Sequence, residues 1–406
     1  MEGVAAIAID GAKGVGKTRT AQERAATTYA LDLPGALTIA QAEPERLVTG
    51  EPPILIDEWQ RLPETWDLVR RAVDNGAAQS TFLLTGSATP RDPGTHSGAG
   101  RIVRLRMRPL TLSERGTGMP TVSLQSLLTG SRDALRGHTD VDLAEYVTEI
   151  CESGFPGLRG LAATAHRALL DGYITGIIDR DFADAGRTLR NPMALRRWLT
   201  AYAAATGTTT AYDRIRDAAT AGEGDKPAWT TTAVYRDVLE RLWILDPLPG
   251  WQPTRNHLKR LVAAPVHHLV DSALAVRILG LDAAALMSDN DSPIVRDGTF
   301  LGHLFESLMA LNLRVYAQRA QSTVGHLRTR GGEHEIDFIV ERDDHRIVAI
   351  EVKLAHEITD RDVRHLLWLR EQMGEDMLDA VVVSTGNEAY RRPDGIGVVP
   401  AALLGP

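Results

Sequence analysis

Gly11, four intervening residues, then Gly16, Lys17 and Thr18 have the spacing of a phosphate-binding loop. Each residue type answers a chemical need. Gly11, Gly14 and Gly16 let backbone amides at a helix start come close to phosphate oxygens, Lys17 neutralises the outer phosphates, and Thr18 offers its hydroxyl to magnesium. Arg19, one position on, is a further candidate nucleotide contact. The second half of such a site is an apolar strand ending in acid, and "PPILIDEWQ" supplies Ile54, Leu55 and Ile56 before Asp57 and Glu58. Asp57 is expected to hold Mg2+ from its outer coordination sphere, and Glu58 to orient and deprotonate the attacking water. The plainer reading is a strand that ends in solvated acids.

A third apolar run, "STFLLTGSA", ends in Thr85 and Ser87, where hydroxyls either sense the outermost phosphate or simply form a turn. The Gly-, Pro- and Ser-rich stretch after it reads as a loop ending at Arg101. Arg101 is a candidate charge-stabilising finger, acting in cis or on a neighbouring subunit of a homo-oligomer, and equally a plain surface arginine. In "GRIVRLRMRPL", Arg104, Arg106 and Arg108 alternate with apolar residues, so a strand there carries a basic face, solvated or ligand-binding.

A second chemical cluster lies in "EIDFIVERDDHRIVAIEVK". Side chains at i and i+2 share a strand face, so Glu351 and Lys353 point the same way, and Asp337 on a neighbouring strand can join them. Glu306, from a preceding helix, adds a fourth polar group. Hard oxygen ligands suit Mg2+ or Mn2+, with Lys353 positioning a nucleophile. Ordinary charged strand ends are the alternative. Adjacent His267 and His268 would point opposite ways on a strand, and no zinc spacing emerges.

The elements that must position these groups follow from composition and pattern. A chain of 406 residues with 43% hydrophobic and 24% charged residues suits two to four globular domains. The lone Cys151 excludes an internal disulfide, no run is long and apolar enough to span a bilayer, and a cytoplasmic protein without a membrane partner is expected. A net charge of −8 argues against indiscriminate nucleic-acid coating. Helical periodicity over residues 121–190 predicts a lid, in which Asp179, Arg180 and Asp181 either touch the core or pair on an exposed face. Three helices and a strand pair over 191–260 predict a winged helix, with Arg187, Arg190, Arg196 and Arg197 upstream and Arg255, Lys259 and Arg260 downstream. Such a domain either contacts DNA or serves as a structural or protein-docking module. A helix, three strands, a helix and a strand over 261–406 predict a mixed α/β domain.

"GAKGVGKT", "ILIDEWQ", "FLLTGSA", "GRIVRLRMRPLTLSE" and "SGFPG", in this order, resemble the largely uncharacterised bacterial and archaeal AAA-type ATPases with a carboxy-terminal domain of unknown function. The resemblance implies an α/β P-loop ATPase core over 1–120, a helical lid, a winged helix and a restriction-endonuclease-like domain with a PD-(D/E)xK core. It departs from the family pattern in two places. The first strand begins almost at residue 1, so a base-packing segment ahead of it is expected to be missing, and the sensor lacks asparagine. Three functions follow as expectations: an ATP-hydrolysing switch or motor acting on DNA, an ATP-dependent regulator whose nuclease-like domain is an inactive docking surface for a protein partner, or an AAA-type remodeller of protein partners, for which no pore-loop signature is visible.

Overall fold

Short aliphatic runs bounded by glycine and proline build the first sheet. The computed structural model describes residues 3–86, 99–184, 189, 191–220, 226–253, 263–287 and 298–406. Strands β1 (Ala6–Asp10), β2 (Thr27–Ala30), β3 (Ile54–Asp57), β4 (Phe82–Gly86) and β5 (Ile102–Arg106) lie in the order β2-β3-β4-β1-β5. Every neighbouring pair is parallel. Such a sheet is covered on both faces, and accordingly β1, β3 and β4 are buried at every position. Ala8, Ile56 and Leu84 pack with Trp59 and Trp66 on one side, while Ile7, Leu55 and Leu83 meet Ala21 on the other. Because β4 lies between β1 and β3, the register sets Thr85 level with both Ile9 and Asp57.

The middle of the chain is mostly helical, with helices Leu143–Glu152, Ala163–Gly176, Pro192–Ala204, Tyr212–Ala218 and Trp229–Arg241. After the last of these the chain returns through two antiparallel bridges, Leu245 with Leu269 and Leu248 with Val266. The stretch expected to be a lid also holds two short strands, β6 (Val122–Ser123) and β7 (Gly137–His138).

Strands β8 (Gly250–Trp251), β9 (Thr323–Arg328), β10 (Glu335–Glu341), β11 (Ile347–Lys353), β12 (Met377–Ser384), β13 (Glu388–Arg391) and β14 (Gly397–Pro400) join β7 in one sheet. Its order is β7-β13-β14-β12-β11-β10-β9-β8. β9, β10 and β11 form an antiparallel meander, and β12 and β14 run parallel to β11. The period of two sorts β11 between two cores. Val348, Ile350 and Val352 face the side of helix Gly298–Arg319, with Leu304, Leu308 and Leu313. Ile347 and Ala349 face the side of helix Asp360–Met373, with Val363, Leu366 and Leu369.

β6 pairs with β15 (Leu404–Gly405), and β7 with β13. The first part of the expected lid therefore belongs structurally with the carboxy-terminal domain. Helical periodicity could not reveal this, because the partners lie at the other end of the chain.

Helix Gly298–Arg319 is tied to the first domain through Asn312, whose Oδ1 accepts from the backbone amide of Leu112 at 2.8 Å and from the Tyr316 hydroxyl at 3.1 Å. Asn312 is fully buried, so Asn312→Leu leaves the Leu112 amide without a partner. It is expected to lower stability by about 1–3 kcal/mol in denaturant unfolding. Exposed Met119→Ala should change it by less than about 0.5 kcal/mol.

Candidate nucleotide site and carboxylate cluster

The loop between β1 and helix Lys17–Gln22 opens at the carboxy-terminal edge of the first sheet. Its glycines meet real steric demands. Gly16 caps the helix in the left-handed region at φ 99°, and a Cβ on Gly11 would lie 2.2 Å from the carbonyl oxygen of Met107. The Met107 amide also donates to the Asp10 carbonyl at 2.7 Å, so the segment after β5 is a wall of the loop.

Lys17 Nζ donates to the carbonyls of Gly11 and Ala12, each at 2.8 Å. Burial pushes this amine down to about 8, against the opposing charges of Glu58, Asp10 and Asp57. Asp57 is the meeting point of β3, β4 and the helix after β1. Its Oδ1 accepts from Thr18 Oγ1 at 2.9 Å and from the Thr85 hydroxyl. Glu58 follows in the left-handed region at φ 53°, a conformation that costs a side chain energy, and its Oε2 accepts from Gln60 Nε2. Thr18, Asp57 and Thr85 are thus brought together, with Lys17 and Glu58 beside them. Arg19 pairs with Glu23 at 2.9 Å on an exposed face. Ser87 lies outside the described residues, as do Arg187, Arg190, Arg255, Lys259 and Arg260.

Arg101 stands apart from its own loop. It precedes Ile102, which pairs with Ala6 at the start of β1, so it sits at the sheet edge opposite the loop. Four further β1 residues separate the edges, about 13 Å at 3.3 Å per residue. Arg101 Nε is spent on Asp74 at 2.8 Å. It is no finger for its own loop; a short sequence distance from β4 concealed which edge it would reach.

The alternating arginines are all ion-paired, with Arg104 still exposed and Arg106 and Arg108 largely buried. Arg104 Nε donates to the buried Asp10 at 2.6 Å, and Arg106 and Arg108 both reach Asp246 at 2.9 Å. Of the three polar residues in the expected lid, Asp181 pairs with Lys13 in the loop itself, and the Tyr173 hydroxyl donates to the Lys13 carbonyl at 3.1 Å. Phe155 and Pro156 of "SGFPG" stand 3.7 Å from Cβ positions built on Gly14 and Gly16.

In the carboxy-terminal sheet, Phe338 faces Ile350, and one further step of this antiparallel register sets Asp337 opposite Glu351. Asp337 Oδ2 accepts from the Val352 amide at 2.8 Å, and Lys353 Nζ donates to Glu351 Oε2 at 2.8 Å. Burial, then the charge of Asp337, pushes the Glu351 carboxyl well above its ordinary range; burial and Asp337 do the same to Glu306. Burial opposes the charge on Lys353, but Asp337 and then Glu351 outweigh it and hold the amine charged. All four residues therefore share one electrostatic environment. Glu351 Oε1 is buried without a hydrogen-bond partner, the kind of orphaned oxygen that a hard cation satisfies. Among the described residues, however, no three His, Cys, Asp or Glu side chains converge on a common metal position. With Asp337 turned to the Val352 amide and Glu351 Oε2 to Lys353, the expected Mg2+ or Mn2+ ligand set of Glu306, Asp337 and Glu351 is not assembled.

A histidine pair that no sequence spacing marks lies beside this cluster. His334 stacks on Trp368 with ring centroids 3.9 Å apart, and its Nδ1 lies 3.2 Å from that of His365, on which the charges of Lys353 and Asp337 act. His267 and His268 are buried, and His267 Nε2 meets the Thr210 carbonyl at 2.7 Å.

Residues 4–115 match the family model of an AAA domain. Over this stretch the chain is similar to AAA-type P-loop domains. Residues 143–285 and 301–404 match two domains of unknown function, DUF8612 and DUF4143. Uncharacterised proteins of Mycobacterium bovis and Mycobacterium tuberculosis are each 26% identical over 260 residues, covering 64% of this chain and 51% of theirs. The chain thus spans about half the length of the curated relatives it matches. Among solved structures, a Walker-type ATPase of Pyrococcus abyssi is 15% identical, with a TM-score of 0.39 over 68% of this chain and 91% of that one. The ORC2 protein of Aeropyrum pernix, in ADPNP and ADP complexes, is 13% identical, with a TM-score of 0.31 over 76% and 89%. No helix among the described residues is long and apolar enough to cross a membrane.

Gly11→Ala drives a Cβ into Met107 and is expected to lower ATP affinity about tenfold or more, whereas Gly172→Ala, in open space, leaves it unchanged. Titration with a fluorescent ATP analogue measures both. The Lys17 amine is charged below about pH 8. Affinity for the analogue should therefore weaken as pH rises from 7 to 9, with proton uptake on binding near the upper end.

Proposed function

We propose that this chain is a Mg2+-dependent ATP-hydrolysing switch that acts on DNA through its middle and carboxy-terminal domains. The observation that carries the ATPase reading is the convergence of Thr18 and Thr85 on the Asp57 carboxylate, beside a lysine held by the loop carbonyls. Bound with the nucleotide, Mg2+ supplies charge neutralisation, and Thr18 and Asp57 are the residues suited to hold it. Lys17 exchanges its carbonyl partners for the outer phosphates. Glu58 orients and deprotonates the attacking water, and Thr85 holds Asp57 in place from the intervening strand. If Arg101 acts as a finger, it does so toward a neighbouring subunit.

Three helices over 192–241, followed by antiparallel bridges from Leu245 and Leu248 to Leu269 and Val266 beyond the expected boundary at 260, support a winged helix as one DNA contact. The order of helix, three strands, helix and strand, with Asp337, Glu351 and Lys353 on adjacent strands, supports a restriction-endonuclease-like domain over 261–406. The orphaned Glu351 Oε1 favours a cation there. A second reading, an inactive domain that docks a protein partner, is favoured by the Lys353–Glu351 pair and the unassembled ligand set.

Incubating supercoiled plasmid with protein, ATP and Mg2+ or Mn2+ separates the two. Nicking that is lost in Asp337→Ala and in Lys353→Ala, with ATP binding retained, is the expected result. No nicking by the wild type under any of these conditions favours the docking reading.

A further inference from the structure

Three guanidinium groups, from Arg106, Arg108 and Arg314, converge on the single carboxylate of Asp246. Arg106 Nη1 donates to Oδ1 and Arg108 Nε to Oδ2, each at 2.9 Å; Arg314 also reaches Oδ1, and its Nη2 donates to the Pro247 carbonyl at 2.6 Å. The three arginine side chains are only 21%, 10% and 9% exposed. Among the described residues no second carboxylate bonds to any of them. Arginine keeps its proton at neutral pH, so three charges against one leave two positive charges uncompensated in a poorly hydrated place. Glu240 borders the same cavity, but burial favours its neutral form; even ionised it would leave an excess of one. Burial, helped by the repulsion of Arg108, pushes Arg106 down to about 9, and burial pushes Arg108 down to about 10.

The protein spends structure on holding this excess. The Arg106 guanidinium lies over the Trp243 ring, 4.6 Å from its centroid, and its Nε and Nη2 are buried without hydrogen-bond partners. Trp243 itself takes the strained left-handed conformation at φ 62°. The cluster opens on a cavity of about 560 Å³, whose lining adds the polar side chains of Gln318, Ser322 and Thr323. Its walls come from the end of β5 and the segment after it, the turn after helix Trp229–Arg241, the end of helix Gly298–Arg319 and the start of β9. It is distinct from the nucleotide loop and does not depend on the hydrolysis reading.

We propose that this cavity binds a phosphate oxyanion, which bridges the arginines and so joins the ATPase domain to the two following segments of the chain. Guanidinium groups match phosphate oxygens in geometry as well as charge, and the anion supplies the compensation that Asp246 alone does not. The phosphate comes either as a free or small phosphate ester or as a backbone phosphate of DNA.

The test is the unfolding temperature of the full chain against orthophosphate at constant ionic strength. Wild type and Lys17→Ala, which removes the loop lysine, should both show a saturable rise. Arg106→Gln should lose it while still binding ADP, which shows that the chain is folded. Asp246→Asn, which deepens the charge excess, should saturate at several-fold lower phosphate. A single-stranded oligonucleotide then distinguishes the sources. Weaker binding in Arg106→Gln, with a salt slope smaller by about 1, assigns the anion to the DNA backbone. Unchanged DNA binding together with a lost orthophosphate response assigns it to a free phosphate. A rise matched by chloride, or abolished by Lys17→Ala, or preserved in Arg106→Gln, overturns the proposal.

Discussion

One carboxylate oxygen, Oδ1 of Asp57, receives hydroxyls from Thr18 and Thr85 and thereby registers β3, β4 and the helix after β1 against each other. The constraint is topological before it is chemical. β4 has to lie between β1 and β3 for Thr85 to stand level with both the loop strand and the acid strand. Parallel strands buried on both faces hold that level rigidly, because a slip of one residue would turn every side chain to the opposite layer. What the sheet presents at its edge is therefore an acid, a hydroxyl and an amine already in place, with Glu58 held in a strained conformation just beyond them.

The same edge is connected to the rest of the chain through the segment after β5. Met107 walls the loop with its backbone, while Arg106 and Arg108 on either side of it reach Asp246. Asp246 in turn meets Arg314, and Asn312 of the same helix takes the Leu112 amide. Two turns earlier that helix carries Glu306, which feels Asp337, Lys353 and Glu351. A contiguous set of hydrogen bonds and one rigid helix thus span the distance between the nucleotide loop and the carboxylate cluster. It is a physical route by which a change at one end can bias the other, provided that the route has two arrangements.

The residues of the loop were legible because a single stretch of chain builds the loop, and the acid strand announced itself by an apolar run ending in Asp57 and Glu58. The place of Arg101 was not legible, for the opposite reason. Its closeness to β4 in sequence says nothing about which sheet edge it occupies, and only the parallel register with β1 decides that. β6 and β7 escaped notice because each is two residues long and finds its partner at the far end of the chain. Asp246 and Arg314 did leave a signal. A lone acid in "LWILDPLP" and a lone arginine in "LMALNLRVYA" are charges inside apolar runs, which are rarely buried unless paired. The carboxylate cluster was legible as a set of neighbours, since period two and an antiparallel hairpin bring Asp337 opposite Glu351. Its metal geometry was not, because that depends on which rotamers the Val352 amide and Lys353 select.

The central claim is that the Asp57 edge is built to hydrolyse ATP, and phosphate release from radiolabelled ATP under single-turnover conditions tests it most directly. Wild type should release phosphate with Mg2+ present, while Glu58→Gln binds ATP as tightly and releases it at least about a hundredfold more slowly. Equal rates in the two proteins would contradict the account.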